Sequence, residues 1–157
     1  MFLAVGGLAY VHAFRSTVSN TSIDSPVLEP SSLLNHSFPL FDSIDGGAEL
    51  KSGRWLLLFY HYDCDECRHV IPLYRAIAKA MHDETDSPRL AFIAVPPFAS
   101  ASQDPGHVTS DNQHYALRSD RDWIVETPMA VTVLDGRVIG VTYGEQAENL
   151  PDVLHWQ

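Results

Sequence analysis

The chain has 157 residues, 45% of them hydrophobic and 19% charged, which suits one soluble globular domain able to bury a core. The 20 acids outnumber the 10 bases, for a formal charge of −10. With only two lysines, Lys51 and Lys79, and no basic cluster, a phosphate-tracking nucleic-acid binder is excluded. The two cysteines, Cys64 and Cys67, are too few for the disulfide framework of a stapled mini-fold.

The first 14 residues, MFLAVGGLAYVHAF, are apolar apart from His12, and Arg15 follows. As a helix rising ~1.5 Å per residue they would span roughly 21 Å, short of a hydrocarbon core of ~30 Å. No basic n-region precedes them, as an export signal would require. A shortened membrane anchor, an uncleaved export signal and a core strand or helix are the three readings, and residues 1–15 are expected to be a membrane anchor or export segment because a tether-like segment follows. Residues 16–36 are rich in Ser, Thr, Asn and Pro and show no sustained periodicity, the composition of a linker. The folded domain is expected over 37–157.

Within that domain, SFPLFDSIDGGAEL predicts two short strands about an Asp45-Gly46-Gly47 turn. The run WLLLFY, 55–60, predicts a strand buried on both faces, as at the centre of an α/β sheet. After the cysteines, Val70, Leu73, Tyr74, Ile77 and Met81 recur at helical spacing. They predict an amphipathic helix, with Pro72 interrupting its hydrogen-bond ladder. LAFIAV, 90–95, is a second buried strand, and 96–113 is a long polar loop of the kind that carries function. A short strand is expected at 114–117. PMAVTVL and RVIGVT flank Asp135-Gly136, the strongest hairpin signal in the chain, and the end holds at most a short helix.

The chemistry concentrates in YHYDCDECRH, 60–69. A C-x-x-C beside alternating strand and helix signals points to redox chemistry. A zinc site would need two further ligands, and no second C-x-x-C or C-x-x-H is present. Cys64 and Cys67 with His61, His69 or His107 could still hold a soft ion such as Cu(I), and His114 lies in the same part of the chain. An inert pair of thiols is the third option.

In the order strand, C-x-x-C, helix with Pro72, strand, loop, Thr127-Pro128, hairpin, the sequence resembles the thioredoxin superfamily. With the SFPLFDSIDGG opening and the apolar N-terminus, it resembles the TlpA-like, membrane-tethered or exported thiol-disulfide oxidoreductases. The resemblance covers residues 37 to about 150. It implies an α/β, thioredoxin-like fold: a central mixed β-sheet flanked by helices, here with an N-terminal β-hairpin extension. It implies that Cys64 is the nucleophile and Cys67 the resolving thiol. It also implies a cis Thr127–Pro128 bond whose threonine backbone receives the substrate. Protein disulfides or dithiols and a redox partner protein are the implied partners, in an extracytoplasmic compartment, and no cofactor is needed.

The physical case runs the same way. A cysteine at the first turn of a helix meets unpaired backbone N–H groups and the positive end of the dipole, which favour its thiolate. A second cysteine three residues on shares that face and can resolve a mixed disulfide. The departures from the thioredoxin pattern are electrostatic. Asp63 replaces the usual Trp, Asp65 and Glu66 replace Gly-Pro, and Leu58 stands where relatives often bury an acid. Three acids beside Cys64 disfavour its thiolate, with Arg68, His61 and His69 as partial offsets. That balance predicts a reductant rather than a strong oxidant. The rival readings are a copper-binding module using Cys64, Cys67 and a histidine, and a redox-silent interaction domain using the 96–113 loop. His61, His69 and Glu126 read as rim or surface residues, Tyr60 and Tyr62 as packing, and Trp123 as core or groove lining.

Overall fold

A computed structural model of the chain describes residues 26–81, 87–100, 103–104 and 113–149. The elements in chain order are β1 (Val27–Leu28), α1 (Pro30–Leu33), β2 (Arg54–Tyr60), α2 (Asp65–Met81), β3 (Arg89–Ala94), β4 (Gln113–Ala116), β5 (Ile124–Val125), β6 (Met129–Leu134) and β7 (Arg137–Tyr143). Three short 3-10 helices, Phe41–Ser43, Gly47–Lys51 and Gly144–Glu148, complete the set. The main sheet has the order β4-β3-β2-β6-β7. β2, β3 and β4 run parallel to one another, while β6 pairs antiparallel with both β2 and β7. This mixed sheet, entered through a β-α-β unit and closed by a hairpin, is the expected thioredoxin-like fold.

The continuous apolar run of β2 is explained by what covers it. Trp55, Leu57 and Phe59 point into one core cluster, while Leu56, Leu58 and Tyr60 point into another. With side chains alternating across a strand, six consecutive apolar residues are needed to feed two cores. β3 splits the same way, with Ala91 and Ile93 on one face and Leu90, Phe92 and Ala94 on the other.

α2 covers the second face through Cys67, Val70, Ile71 and Tyr74. The expected helix is present with Pro72 inside it, but its buried stripe is shifted from the expected one. Leu73 is 43% exposed, and Ile71 is buried in its place.

The first face is covered by an irregular layer instead of a helix. Leu28, Leu33, Phe38, Leu40, Phe41, Ile44 and Leu50 all join its core, and Phe38 packs on Phe41 and Phe59 with ring centroids 5.0 and 5.9 Å apart. Two sequence expectations change here. The strands expected between Ser37 and Leu50 reduce to single bridges, Ser37 to Arg137 before the first 3-10 helix and Ile44 to Leu117 between the first two. The physical reason is that Phe38, Leu40, Phe41, Ile44 and Leu50 all turn to one core, which an alternating strand cannot do. The turn itself is there. A Cβ on Gly47 would sit 2.5 Å from the Phe41 carbonyl oxygen, so only glycine fits. The expected linker also ends sooner. β1 pairs in parallel with β5, and Leu28 and Leu33 are buried, so the described part of 16–36 belongs to the fold.

Residues 1–15, the expected anchor, lie outside the described residues, as does most of the 96–113 loop. Among the described residues no helix is long and apolar enough to cross a membrane. The Asp135-Gly136 hairpin forms as expected, with positive φ at both residues. Asp135 also accepts from the Gly53 amide at 2.8 Å, which fixes the turn to the start of β2.

Candidate functional site: the Cys64–Cys67 disulfide

β2 ends at Tyr60 and α2 begins at Asp65, so the cysteines straddle the strand-to-helix junction. Cys64 and Cys67 are joined as a disulfide, with Cα atoms 5.2 Å apart. Cys64 occupies the cap position of α2. Its sulfur accepts the Cys67 amide at 3.1 Å, and its carbonyl accepts the Arg68 amide at 3.3 Å. A serine or aspartate oxygen at a helix N-cap receives the same kind of amide, so one of the first-turn N–H groups that lack a helical partner is aimed at this sulfur.

The two sulfurs differ in access. Cys64 is partly exposed, whereas Cys67 is fully buried among Leu58, Val70, Ile71 and Tyr74. The Thr127–Pro128 bond is cis, and the Thr127 carbonyl oxygen lies 3.6 Å from Cys64 Sγ. A residue 63 positions away in sequence thus borders the reachable sulfur.

The charged residues around the motif sort into three cases. Asp63 pairs with His61 Nδ1. Asp65 pairs with Arg68 Nη1 at 2.8 Å, and the same guanidinium donates to the Tyr62 carbonyl at 3.3 Å. Glu66 alone of the three acids approaches the disulfide, with Oε2 3.9 Å from Cys64 Sγ. Arg68, read from sequence as an offset to the acids, is thus held by Asp65. His69 Nδ1 donates to the Asp65 carbonyl at 2.9 Å and lies on the exposed face of α2. Leu58 is fully buried beside Cys67, so the layer behind the Cys67 sulfur is apolar at that position.

Among the described residues there is no group of three or more His, Cys, Asp or Glu side chains placed to hold a metal ion. Of the histidines considered for copper, His61 and His69 have the partners just given, His114 stands at Tyr60, and His107 lies outside the described residues. Trp123 is partly buried against the first core, and its Nε1 donates to the Arg118 carbonyl at 2.7 Å.

Two features had no clear sequence signal. Tyr60, read as packing, carries a hydrogen-bond network to Asp104 and His114, residues that only strand pairing brings together. The Pro96–Pro97 bond is also cis; the double proline marked a loop but not its isomer.

No family model matches the sequence, and no curated protein matches it. Solved structures do. The thioredoxin domain of a thiol-disulfide oxidoreductase from Bacteroides vulgatus is 16% identical, over 66% of this chain and 79% of that one, with a TM-score of 0.48. StoA from Bacillus subtilis is 15% identical, over 63% and 80% of the two chains, with a TM-score of 0.45. The exposed lipoprotein thioredoxin of Streptococcus pneumoniae is 16% identical, over 69% and 89%, with a TM-score of 0.49.

Proposed function

We propose that the protein is a thiol-disulfide oxidoreductase acting on protein disulfides, with Cys64 as nucleophile and Cys67 as resolving thiol. The observation that carries this reading is the Cys64–Cys67 disulfide at the start of α2, with the Thr127 carbonyl 3.6 Å from the exposed sulfur. In the reduced protein the Cys64 thiolate attacks a client disulfide, and one client sulfur leaves as a thiolate. Cys67 then attacks Cys64 Sγ, closes the disulfide and expels the second client sulfur. The burial of Cys67 supports the division of labour, because only Cys64 is open to a client. The Thr127 backbone, held extended by the following proline, borders the position a client cysteine would take.

Electrons run toward the client in this reading. Glu66 beside Cys64 disfavours the thiolate, so the dithiol form gains little stabilisation and gives up its electrons readily. Persistent disulfides as clients, together with the apolar segment at 1–14, support work outside the cytosol on a tethered or exported chain.

The test is a redox titration of the purified protein against glutathione, followed by trapping. Two thiols should close to one intramolecular disulfide with a measurable potential. Cys67→Ser should accumulate mixed disulfides on Cys64, and Cys64→Ser should abolish reductase activity. Unchanged reductase activity in Cys64→Ser would sink the proposal.

A further inference from the structure

Away from the two sulfurs, a polar network fastens the loop after β3 to the sheet. Tyr60 Oη donates to Asp104 Oδ2 at 3.0 Å and lies 2.6 Å from His114 Nε2. His114 Nε2 is 3.4 Å from the same Asp104 oxygen. Tyr60 comes from β2 and His114 from β4, with β3 between them, so the tyrosine reaches across a strand to meet the loop. The Asp104 side chain is only 14% exposed. Burial first, and then the neighbouring Asp104 carboxylate, push the Tyr60 hydroxyl well above its ordinary pKa, so it keeps its proton and remains a donor.

The described part of this loop has further fastenings. The Val95 amide donates to the Tyr60 carbonyl at 2.9 Å, and the Gln103 and Asp104 amides reach the Ser100 carbonyl at 2.8 and 3.1 Å. Between these fastenings stand Pro97 and Phe98. Phe98 is 47% exposed and lines a small cavity with Pro97, Tyr60 and Tyr62. Tyr62 is two residues from Cys64, in the loop that presents the nucleophile. A large aromatic ring is therefore held out at the surface by a network seated in the sheet, on a cavity it shares with Tyr62 of the loop before Cys64.

We propose that Phe98 is a specificity-determining residue of the exchange site, with Tyr60, Asp104 and His114 as its positioning residues. The occupant is the segment of a polypeptide client that flanks its disulfide, resting an apolar side chain on Phe98. The charge of the surroundings says more about that segment. Asp63, Asp65, Glu66 and Glu126 are exposed around Cys64 and Thr127; Asp63 and Asp65 are engaged with His61 and Arg68, so of these four, among the described residues, Glu66 and Glu126 carry the negative charge that has no basic partner. A cationic client is favoured and an anionic one repelled. The client segment thus pairs an apolar residue with a basic one. The inference rests on the exchange reading above. Two electrons and two protons pass from the Cys64–Cys67 dithiol to the client disulfide, and a small dithiol donor restores the protein's dithiol.

The test uses the full chain with dithiothreitol as donor and synthetic peptides carrying one intramolecular disulfide. One peptide flanks it with Phe and Lys, the second with Ser and Lys. Burying roughly half a phenyl ring corresponds to a factor of about ten. The Phe peptide should therefore have a kcat/KM about tenfold above the Ser peptide, carried by KM. Phe98→Ser should bring that ratio close to one, and Tyr60→Phe should lower it in the same way. A purely structural fault in either variant slows both peptides alike and leaves the ratio standing, which overturns the proposal. A parent protein that does not distinguish the peptides overturns it too. If Tyr60→Phe fails to fold, the exposed Phe98→Ser still decides. Failure to reduce either peptide would instead overturn the exchange reading itself.

Discussion

Glu66→Gln is the sharpest test of how the acidic motif acts, because it removes the carboxylate nearest the nucleophile and keeps its shape. With Oε2 3.9 Å from Cys64 Sγ, a thiolate and a carboxylate at that spacing repel by about 1 kcal/mol in bulk water. Both groups face solvent, so the water value is the right scale, and physiological salt trims it to roughly 0.6 kcal/mol. Neutralising Glu66 should therefore lower the apparent pKa of the Cys64 thiol by about 0.5 to 0.8 units. The reduced form gains that stabilisation only where the thiol is ionised, so the reduction potential should rise by roughly 10 to 20 mV at a pH well above the thiol pKa and by much less at neutral pH. The thiol shift is read from the ultraviolet absorbance of the thiolate in a Cys67→Ser background, and the potential from a redox titration of the parent and Glu66→Gln. At about 1 M salt, where the screening length falls to ~3 Å, most of the difference should vanish. No shift at low salt, or a shift of opposite sign, would refute the idea that this carboxylate restrains the thiolate.

Three further outcomes follow from the packing. Leu58→Ala should cost about 2 to 5 kcal/mol in urea unfolding, because Leu58 is fully buried between the sheet and α2; a cost below ~1 kcal/mol would mean the layer behind Cys67 is loosely packed. Gly47→Ala should destabilise by about 1 to 3 kcal/mol, since its Cβ would meet the Phe41 carbonyl at 2.5 Å; an unchanged urea midpoint would contradict the close approach. At alkaline pH, Tyr60 and Tyr74 should unfold the protein as they titrate. Burial raises both above the ordinary tyrosine value of 10.0, so between the unfolded pKa and the higher native one the folded state holds more protons. Their contribution to stability is whole below about pH 10 and falls as pH rises beyond it; Tyr60→Phe should flatten that decline, as measured by urea midpoints at stepped pH.

Much of the core and the placing of the cysteine pair at a helix start was legible in the sequence because the signals there are local. A run of six apolar residues is what a strand feeding two cores requires, and Asp135-Gly136 has the turn chemistry that a hairpin demands. The cysteine spacing was likewise readable, since i and i+3 at a helix start share a face. What stayed hidden depends on distant pairing. The 37–50 segment carries hairpin composition, yet Phe38, Phe41 and Ile44 are drawn to one side of the sheet and turn the chain into 3-10 helices. Leu28 and Leu33 sit in a stretch of linker composition, and only the far side of β2 gives them a core to enter. The Tyr60 network was equally invisible, because Asp104 and His114 come within reach only once β3 and β4 have paired.

The same contrast bears on how protons move during exchange. Leu58 and its neighbours surround Cys67 with apolar groups, so no acid at that position can relay a proton to the resolving thiol. Under the exchange reading a proton route is open on the exposed side, past Cys64, where Glu66 stands within 3.9 Å of the sulfur. On that reading Glu66 can act in two ways on one thiol: as a charge it raises the cost of the thiolate, and as a base it can take the proton that the thiol loses. The two effects separate in the Glu66→Gln variant. Below the thiol pKa, relief of the charge alone speeds client reduction by enlarging the thiolate fraction, whereas loss of the base slows it, so a faster variant would confine Glu66 to electrostatics.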